Sequence, residues 1–276
     1  MNDRDEMAGR VARLFDDVAD DYDQSGVEFF GPIAAGLVEA LAPQSGERVV
    51  DVGCGRGAVT FPAARAVGPT GSVTAVDIAP AMVELTRRGA EEAGLRQVRT
   101  ATIAPDALGL PDASADVVTA SLVLFFAPDP AATLRSWLRV LVPGGRIGVT
   151  TFGSPDPTWE RVDALFRPYL PPHLLDARTS GEDGPFASDA GMEELLTSCG
   201  AAGVRTVRHQ VPVHFADGDA WRAFSLSTGQ RMFWSFVPDA RRQPLYEEAV
   251  ALLEEARVDA GDIVLHQNVR YTLGTV

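Results

Sequence analysis

Three aspartates, each predicted to lie at or just after the end of a strand, are the residues that point most directly to ligand chemistry. Asp51 lies in the apolar run 49–52, Asp77 comes 26 residues later, and Asp106 follows a third strand-like run at 98–104. In an open α/β sheet, ligands bind at the edge where the carboxyl ends of parallel strands meet. The spacing therefore predicts carboxylates that accept hydrogen bonds from a ligand, not a pair that hydrolyses a bond.

A glycine-rich turn follows the first of these strands, with Gly53, Gly55 and Gly57 at alternate positions. Glycine has no Cβ, so such a turn can adopt positive φ and lie against a ligand, and the helix after it offers free N–H groups. The glycines alone also fit the fingerprint of dinucleotide-binding folds. Asp51, two residues before Gly53, cannot help to hold a pyrophosphate but suits a cationic ammonium, which favours S-adenosylmethionine.

At this point the chain resembles the class I S-adenosylmethionine-dependent methyltransferases, whose first motif is an acid followed by G-x-G-x-G. The segment P-D-A-L-G-L-P at 105–111 is similar to the family's D-A-x-x-L-P loop, and L-V-P-G-G-R at 141–146 is similar to its turn into the fifth strand. Tyr22 matches the tyrosine of the family's A-x-x-Y-D segment. The resemblance covers residues 47–152 and implies these cofactor-binding residues: Tyr22, Asp51, Gly53, Gly55, Gly57, Asp77 at the ribose, Ile78 beside the adenine, Asp106 and Ala107 at the adenine amine, and Ser121.

The resemblance also implies the architecture. We expect an α/β, Rossmann-like three-layer sandwich with a seven-stranded, mostly parallel sheet, an antiparallel last strand and a helical cap. The chain is expected to be a single domain, 1–276. Its parts would be an N-terminal helical cap (1–45), a cofactor-binding core (46–153), cap insertions (154–188 and 217–258) and the rest of the core (189–216 and 259–276).

The sequence departs from the family where many members carry a histidine after the fourth strand, because Phe125 occupies that position. This favours an apolar substrate pocket lined by Phe125 and Phe126, with Trp221 from the cap. Core roles for Phe126 and Trp221 remain open. Arg231 either pairs with a substrate carboxylate or extends its charge into solvent.

A catalytic base, if the reaction needs one, is expected to be a histidine. His214 lies near the carboxyl end of the sixth predicted strand, and His173 lies in the predicted cap. The expected reaction is methyl transfer to a hydroxyl or carboxylate oxygen of a secondary metabolite, with S-adenosylhomocysteine as the second product. The alternative is a non-methylating relative that holds the cofactor structurally and promotes a cyclisation.

Composition limits the remaining possibilities. The 276 residues carry a formal charge of −14 with no lysine, which disfavours a broad nucleic-acid-binding face, and arginine-rich usage is typical of a high-GC bacterial genome. The two cysteines are too few for a disulfide framework or a cysteine-based zinc site, so no metal is expected. The apolar run 117–128 is too short to cross a bilayer. We therefore expect a cytoplasmic monomer or homodimer that acts on a small molecule.

Overall fold

The computed structural model describes residues 3–104, 107–170 and 184–276, and one sheet organises them. Its strands are β1 (Arg48–Val52), β2 (Ser72–Asp77), β3 (Val98–Thr102), β4 (Ala115–Ser121), β5 (Leu141–Phe152), β6 (Ala202–Phe215) and β7 (Ile263–Thr275). The order across the sheet is β3-β2-β1-β4-β5-β7-β6. β1 to β5 pair in parallel, whereas β7 runs antiparallel to both β5 and β6. The predicted seven-stranded, mostly parallel sheet with an antiparallel last strand is confirmed.

Ten described α-helices connect and cover these strands. They are α1 (Asp3–Val18), α2 (Phe30–Leu41), α3 (Thr60–Val67), α4 (Pro80–Glu92), α5 (Pro130–Arg139), α6 (Pro157–Ala164), α7 (Asp189–Ser198), α8 (Gly218–Leu226), α9 (Arg231–Phe236) and α10 (Asp239–Glu254). Side chains of Asp129, Asp156, Ser188 and Asp217 accept hydrogen bonds from free backbone N–H groups at the starts of α5, α6, α7 and α8. The sequence therefore fixes these helix starts locally. None of the described helices is long and apolar enough to cross a lipid bilayer.

The hydrophobic core lies on both faces of the sheet. One buried cluster joins α2 and α3 to α6, α8, α9 and α10, and a second joins β4 and β5 to α5 and α7. Trp137 and Trp221, one from each cluster, are completely buried. Full burial of a large apolar side chain contributes roughly 1.5–3 kcal/mol, so both helical layers are bound firmly to the sheet.

The aromatic stretch on α8 and α9 belongs to the first of these clusters. The indole of Trp221 lies 6.0 Å from that of Trp234, and Phe224 packs against Trp159 and Phe215. Trp221 has no exposed surface. The prediction that Trp221 contacts a substrate is wrong, because the ring fills the interior between these helices and the end of the sheet.

β7 carries a buried arginine that ties separate segments together. The guanidinium of Arg270 donates to the carbonyl oxygens of Phe152 and Phe186 at 2.7 and 2.8 Å, and lies 2.8 Å from the carboxylate of Asp189. Arg270 is 6% exposed, because these segments cover its side chain.

Candidate active site

A cleft of about 1210 Å³, counting the space at its open mouth, lies beyond the carboxyl ends of β1, β2 and β4. The strand order reverses between β1 and β4, which is where open α/β sheets bind ligands. The N-terminal segment, the glycine turn and the loops after β2 and β4 form its walls. Lining residues include Phe15, Tyr22, Asp23, Phe30, Gly53, Cys54, Gly55, Arg56, Asp77, Ile78, Met82, Ser121, Val123 and Phe126.

The glycine turn brings bare backbone to this cleft. Gly53 has φ of 69°, and a Cβ there would meet Val123 at 2.6 Å. Gly55 has φ of 52°, and a Cβ there would extend into open space within the cleft. Gly57 lies outside the cleft lining, because the Phe61 ring covers it. A Cβ added to Gly57 would lie 2.5 Å from that ring. The predicted close approach of a ligand is therefore sterically open at Gly55, while Gly53 and Gly57 shape the turn.

Asp77 holds the turn in place and also faces the cleft. One carboxylate oxygen accepts from the Gly55 N–H at 2.9 Å, and the other accepts from the Ala79 N–H at 3.0 Å. Burial raises the pKa of Asp77 above its ordinary value. Each oxygen keeps a lone pair, since a carboxylate offers about four acceptor positions. The side chain can therefore accept hydrogen bonds from a ribose diol, and the site fits a nucleoside.

Asp51 lies beneath the turn and does not line the cleft. It is 1% exposed, and its oxygens accept hydrogen bonds from the hydroxyls of Thr60 at 2.6 Å and Thr119 at 2.8 Å. Burial raises the pKa of Asp51 to about 6. The structure therefore gives Asp51 a supporting position that links β1, β4 and α3. Its expected contact with a ligand ammonium stays a prediction.

Aromatic rings line the opposite side of the cleft. The ring of Tyr22 stacks on Phe30 with centroids 5.0 Å apart, and Phe15 meets Phe126 edge to face at 5.4 Å. Phe126 thus lies where a substrate residue was expected. Phe125 packs against Phe126 and turns away from the cleft toward other side chains.

The acidic stretch around Tyr22 had suggested solvated side chains, and the structure separates its members. Asp16 accepts a hydrogen bond from the Ala81 N–H at the start of α4, at 2.9 Å. Asp23 lines the cleft with a backbone φ of 56°. Burial raises the pKa of Asp23 to about 6, and the charge of Arg56 limits that rise. Sequence reasoning missed Asp23, although the A-x-x-Y-D match placed it directly beside Tyr22.

His214, one of the two predicted histidine bases, does not line this cleft. His214 lies at the expected edge of the sheet, but β6 is four strands away from β1, a separation on the order of 19 Å. Its side chain is 56% exposed and lies 3.5 Å from Asp262. His214 therefore lies away from the described cleft, and its assignment to catalysis stays a prediction, as does that of His173, which lies outside the described residues.

Other predicted residues also fall away from the cleft. Arg231 is 46% exposed and lies 3.9 Å from Asp21, outside the lining, and its pairing with a substrate carboxylate stays a prediction. Ala107 is exposed and does not line the described walls. Asp106 lies outside the described residues, so its predicted adenine contact stays a prediction.

The described parts of the predicted cap insertions lie outside the lining of this cleft, and the predicted division into cap and core stays a prediction. The cleft lining includes no residue from 154–170 or 184–276, which are the parts of the predicted insertions and later core that the structure describes. Within the described residues, the side chains of His, Cys, Asp and Glu do not come together in any group of three or more that could hold a metal ion. The functional groups along the described walls include two carboxylates, a thiol, a phenol, a serine hydroxyl and a guanidinium, among apolar side chains.

Comparison with known proteins gives consistent matches. Residues 50–149 match the family described as a methyltransferase domain. Nocamycin O-methyltransferase of Saccharothrix syringae is 35% identical over 272 residues, which cover 95% of this chain and 96% of the relative. Aklanonic acid methyltransferase DauC of Streptomyces sp. (strain C5) is 40% identical over 167 residues, 60% of this chain and 76% of the relative.

One solved structure extends the comparison to three dimensions. The YcgJ protein of Bacillus subtilis superposes with a TM-score of 0.59 over 88% of this chain and 97% of that chain, at 18% identity. At that level of identity the likeness concerns the fold alone.

Proposed function

The chain belongs to the S-adenosylmethionine-dependent methyltransferases, and we propose that it transfers the methyl group of this donor to an oxygen atom of a small secondary metabolite. The observation that carries the proposal is the cleft, which combines a nucleoside-compatible end at Gly55 and Asp77 with an aromatic end. The name of the relative that covers 95% of the chain supports oxygen as the acceptor.

The donor's half of the site is assigned to residues of the glycine turn and the β2 loop. Asp77 accepts hydrogen bonds from the ribose hydroxyls, Ile78 lies against the adenine, and the bare backbone of Gly55 permits close approach. Tyr22 and Ser121 line the same cleft. The bound donor supplies a sulfonium methyl group whose leaving group needs no acid. The protein's contribution is then to position the acceptor and exclude water.

The acceptor's half of the site is assigned to the aromatic wall. Phe15, Phe30 and Phe126 surround the space beyond Asp77, and these rings favour a flat, largely apolar acceptor. The relative DauC is named for aklanonic acid, which makes that compound a suitable first acceptor to test.

A product count tests the proposal. Purified protein is incubated with S-adenosylmethionine and aklanonic acid, and both S-adenosylhomocysteine and the modified acceptor are quantified by mass spectrometry. We expect one S-adenosylhomocysteine per product molecule, with the new methyl group on oxygen in the product's NMR spectrum. A methyl group on carbon would contradict the oxygen assignment. Product formed without S-adenosylhomocysteine would indicate the cyclisation alternative.

A matched pair of glycine variants tests the donor site separately. In Gly55→Ala the added Cβ enters the cleft, whereas in Gly94→Ala it enters open space outside the cleft lining. The two glycines have similar backbone angles, with φ of 52° at Gly55 and 68° at Gly94. In both variants, alanine in the left-handed region lowers the stability of the fold by roughly 1–2 kcal/mol. Only Gly55→Ala should also lose affinity for S-adenosylhomocysteine in calorimetry. Equal affinities in the two variants would contradict the assignment of the donor to this turn.

A further inference from the structure

We propose that Asp23 is the general base of the reaction, and that the acceptor is therefore an un-ionised hydroxyl group of a phenol or enol. The inference rests on the proposed function and narrows it, since a hydroxyl and a carboxylate are both oxygen acceptors. Among the residues described, Asp23 combines a position on the cleft wall with a carboxylate that has no hydrogen-bond donor.

The position of Asp23 is set by its backbone. Its φ of 56° lies in the left-handed region, which aspartate tolerates better than most residues because its short side chain can bond locally. Its side chain makes no such local bond among the described residues. The adjacent Tyr22 stacks on Phe30, so the carboxylate lies beside the aromatic wall where the acceptor is expected. A half-buried carboxylate with open lone pairs in such surroundings is suited to accept a proton.

The other titratable and charged groups that line the cleft are committed elsewhere. Asp77 accepts two backbone N–H bonds, and the Arg56 guanidinium donates to the carbonyl oxygens of Ala19 and Asp20. The Cys54 thiol donates to the Gly55 carbonyl, and burial raises the pKa of that thiol. Tyr22 also has a partner. Asp23 is therefore the titratable group on the described cleft wall whose side chain remains able to accept a proton from an acceptor.

The basicity of Asp23 suits this role. Loss of solvent raises its pKa to about 6, and the nearby positive charge of Arg56 keeps the value from rising further. At neutral pH the carboxylate is therefore mainly ionised, yet it binds a proton more strongly than an ordinary aspartate. General bases act best when their pKa lies near the working pH.

The same position argues against an ionised carboxylate as acceptor. An ionised carboxylate has no proton to give and is already a nucleophile, so a general base on the cleft wall would have no function with such an acceptor. With a hydroxyl acceptor, the oxygen forms its bond to the methyl carbon while the carbon–sulfur bond breaks and leaves its electron pair on sulfur. The hydroxyl proton passes to an oxygen of Asp23, which later releases it to water.

The test compares Asp23→Asn with Asp20→Asn, a matched loss of charge at an exposed acid three residues away. Asparagine also tolerates the left-handed backbone, so Asp23→Asn should fold. Two measurements are made on the full chain: the single-turnover rate of methylation of aklanonic acid against pH, and the affinity for S-adenosylhomocysteine by calorimetry.

We expect the rate of Asp23→Asn to fall roughly 10²–10⁴-fold. The parent's rate should rise with pH and level off above about 6, and this rise should be absent from the variant. Its affinity for S-adenosylhomocysteine should stay within about threefold of the parent, because the side chain contacts the acceptor and not the donor. Asp20→Asn should match the parent in both measurements.

Three results would overturn the inference alone. One is an active parent whose rate Asp23→Asn leaves within about threefold. A second is a loss of roughly 30-fold or more in affinity for S-adenosylhomocysteine, which would mean that Asp23 holds the donor's ammonium. The third is a product methylated on a carboxyl oxygen. A parent that transfers no methyl group would instead overturn the proposed function, and this inference with it.

Discussion

Asp51 carries a carboxylate that water does not reach, and its oxygens accept hydrogen bonds from the hydroxyls of Thr60 and Thr119. Burial raises its pKa from 3.8 to about 6. The unfolded chain holds the same group at its ordinary value. The stability that Asp51 contributes is therefore fully present below about pH 3.8 and is lost as the pH rises through 6.

Asp51→Asn removes this titration, because asparagine carries no ionisable group. Between pH 4.5 and pH 7 the free energy of unfolding of the variant should improve relative to the parent by about 2 kcal/mol. Urea unfolding at several pH values in that range measures the difference. Asp116→Asn is the control: Arg48 lowers the pKa of Asp116 below its ordinary value, so this group stays ionised across the range and the difference between Asp116→Asn and the parent should hardly change with pH. A difference between Asp51→Asn and the parent that does not vary with pH would contradict the argument.

At the scale of elements, β7 and the start of α7 are held together by one charged group. Arg270 donates to three backbone carbonyls and pairs with Asp189, so its loss leaves several buried acceptors without donors. Removal of one partner from a buried ion pair is strongly destabilising. This arginine therefore connects the sheet to the segment that leads into the second core cluster.

Arg270→Met should lower the free energy of unfolding by about 3 kcal/mol, since methionine fills the volume but supplies no donors. Arg208→Met is the matched control. It removes a second arginine that binds the same Asp189, at 2.6 Å, but whose side chain is 80% exposed. The control should cost at most about 1 kcal/mol. Chemical denaturation measures both, and similar losses in the two variants would contradict the buried role of Arg270.

The elements that the sequence predicted well are those with a local signature. Apolar runs that end in Asp or Gly predicted β1, β2 and β4, and the alternation of apolar and polar residues predicted β6 and β7. Proline is a less dependable local signal at α10, which begins at Asp239 and contains Pro244 within the helix, although proline favours the first turn. The position of His214 could not be predicted in the same way, because the end of a strand fixes the sheet edge but not the place of that strand across the sheet. Asp23 was missed because it is one of five clustered aspartates, a pattern that suggests solvated side chains unless the cleft beside them is known.

At the scale of the whole molecule, the N-terminal segment forms one wall of the cleft and is attached to the body by few polar contacts. Asp16 accepts from the Ala81 N–H, and Arg56 donates to the Ala19 carbonyl at 2.6 Å. Phe15 adds an edge-to-face contact with Phe126. A ligand in the cleft touches both this wall and the body, so ligand binding and ordering of the wall should be coupled.

Asp16→Ala should therefore loosen α1 and weaken binding together. The variant removes the acceptor at the start of α4, and its affinity for S-adenosylhomocysteine should fall roughly threefold to tenfold because the closed wall is less populated. Hydrogen exchange of residues 11–22, with and without S-adenosylhomocysteine, should be faster in the variant. Asp17→Ala is the control, since the described contacts of α1 with α4 do not include Asp17. Equal exchange in the two variants would contradict the coupling.

The place of β7 between β5 and β6 has a consequence for synthesis of the protein. β7 leaves the ribosome after the other six strands, yet both of its neighbours depend on it for hydrogen bonds. About 110 residues separate Phe152 from Ile263, so at roughly 5–20 residues per second a nascent chain spends several seconds or more with the edge of β5 open. Open strand edges attract other chains. Substitutions that slow the docking of β7 should thus lower the yield of soluble protein in the cell more than they lower the melting temperature of the molecules that finish folding.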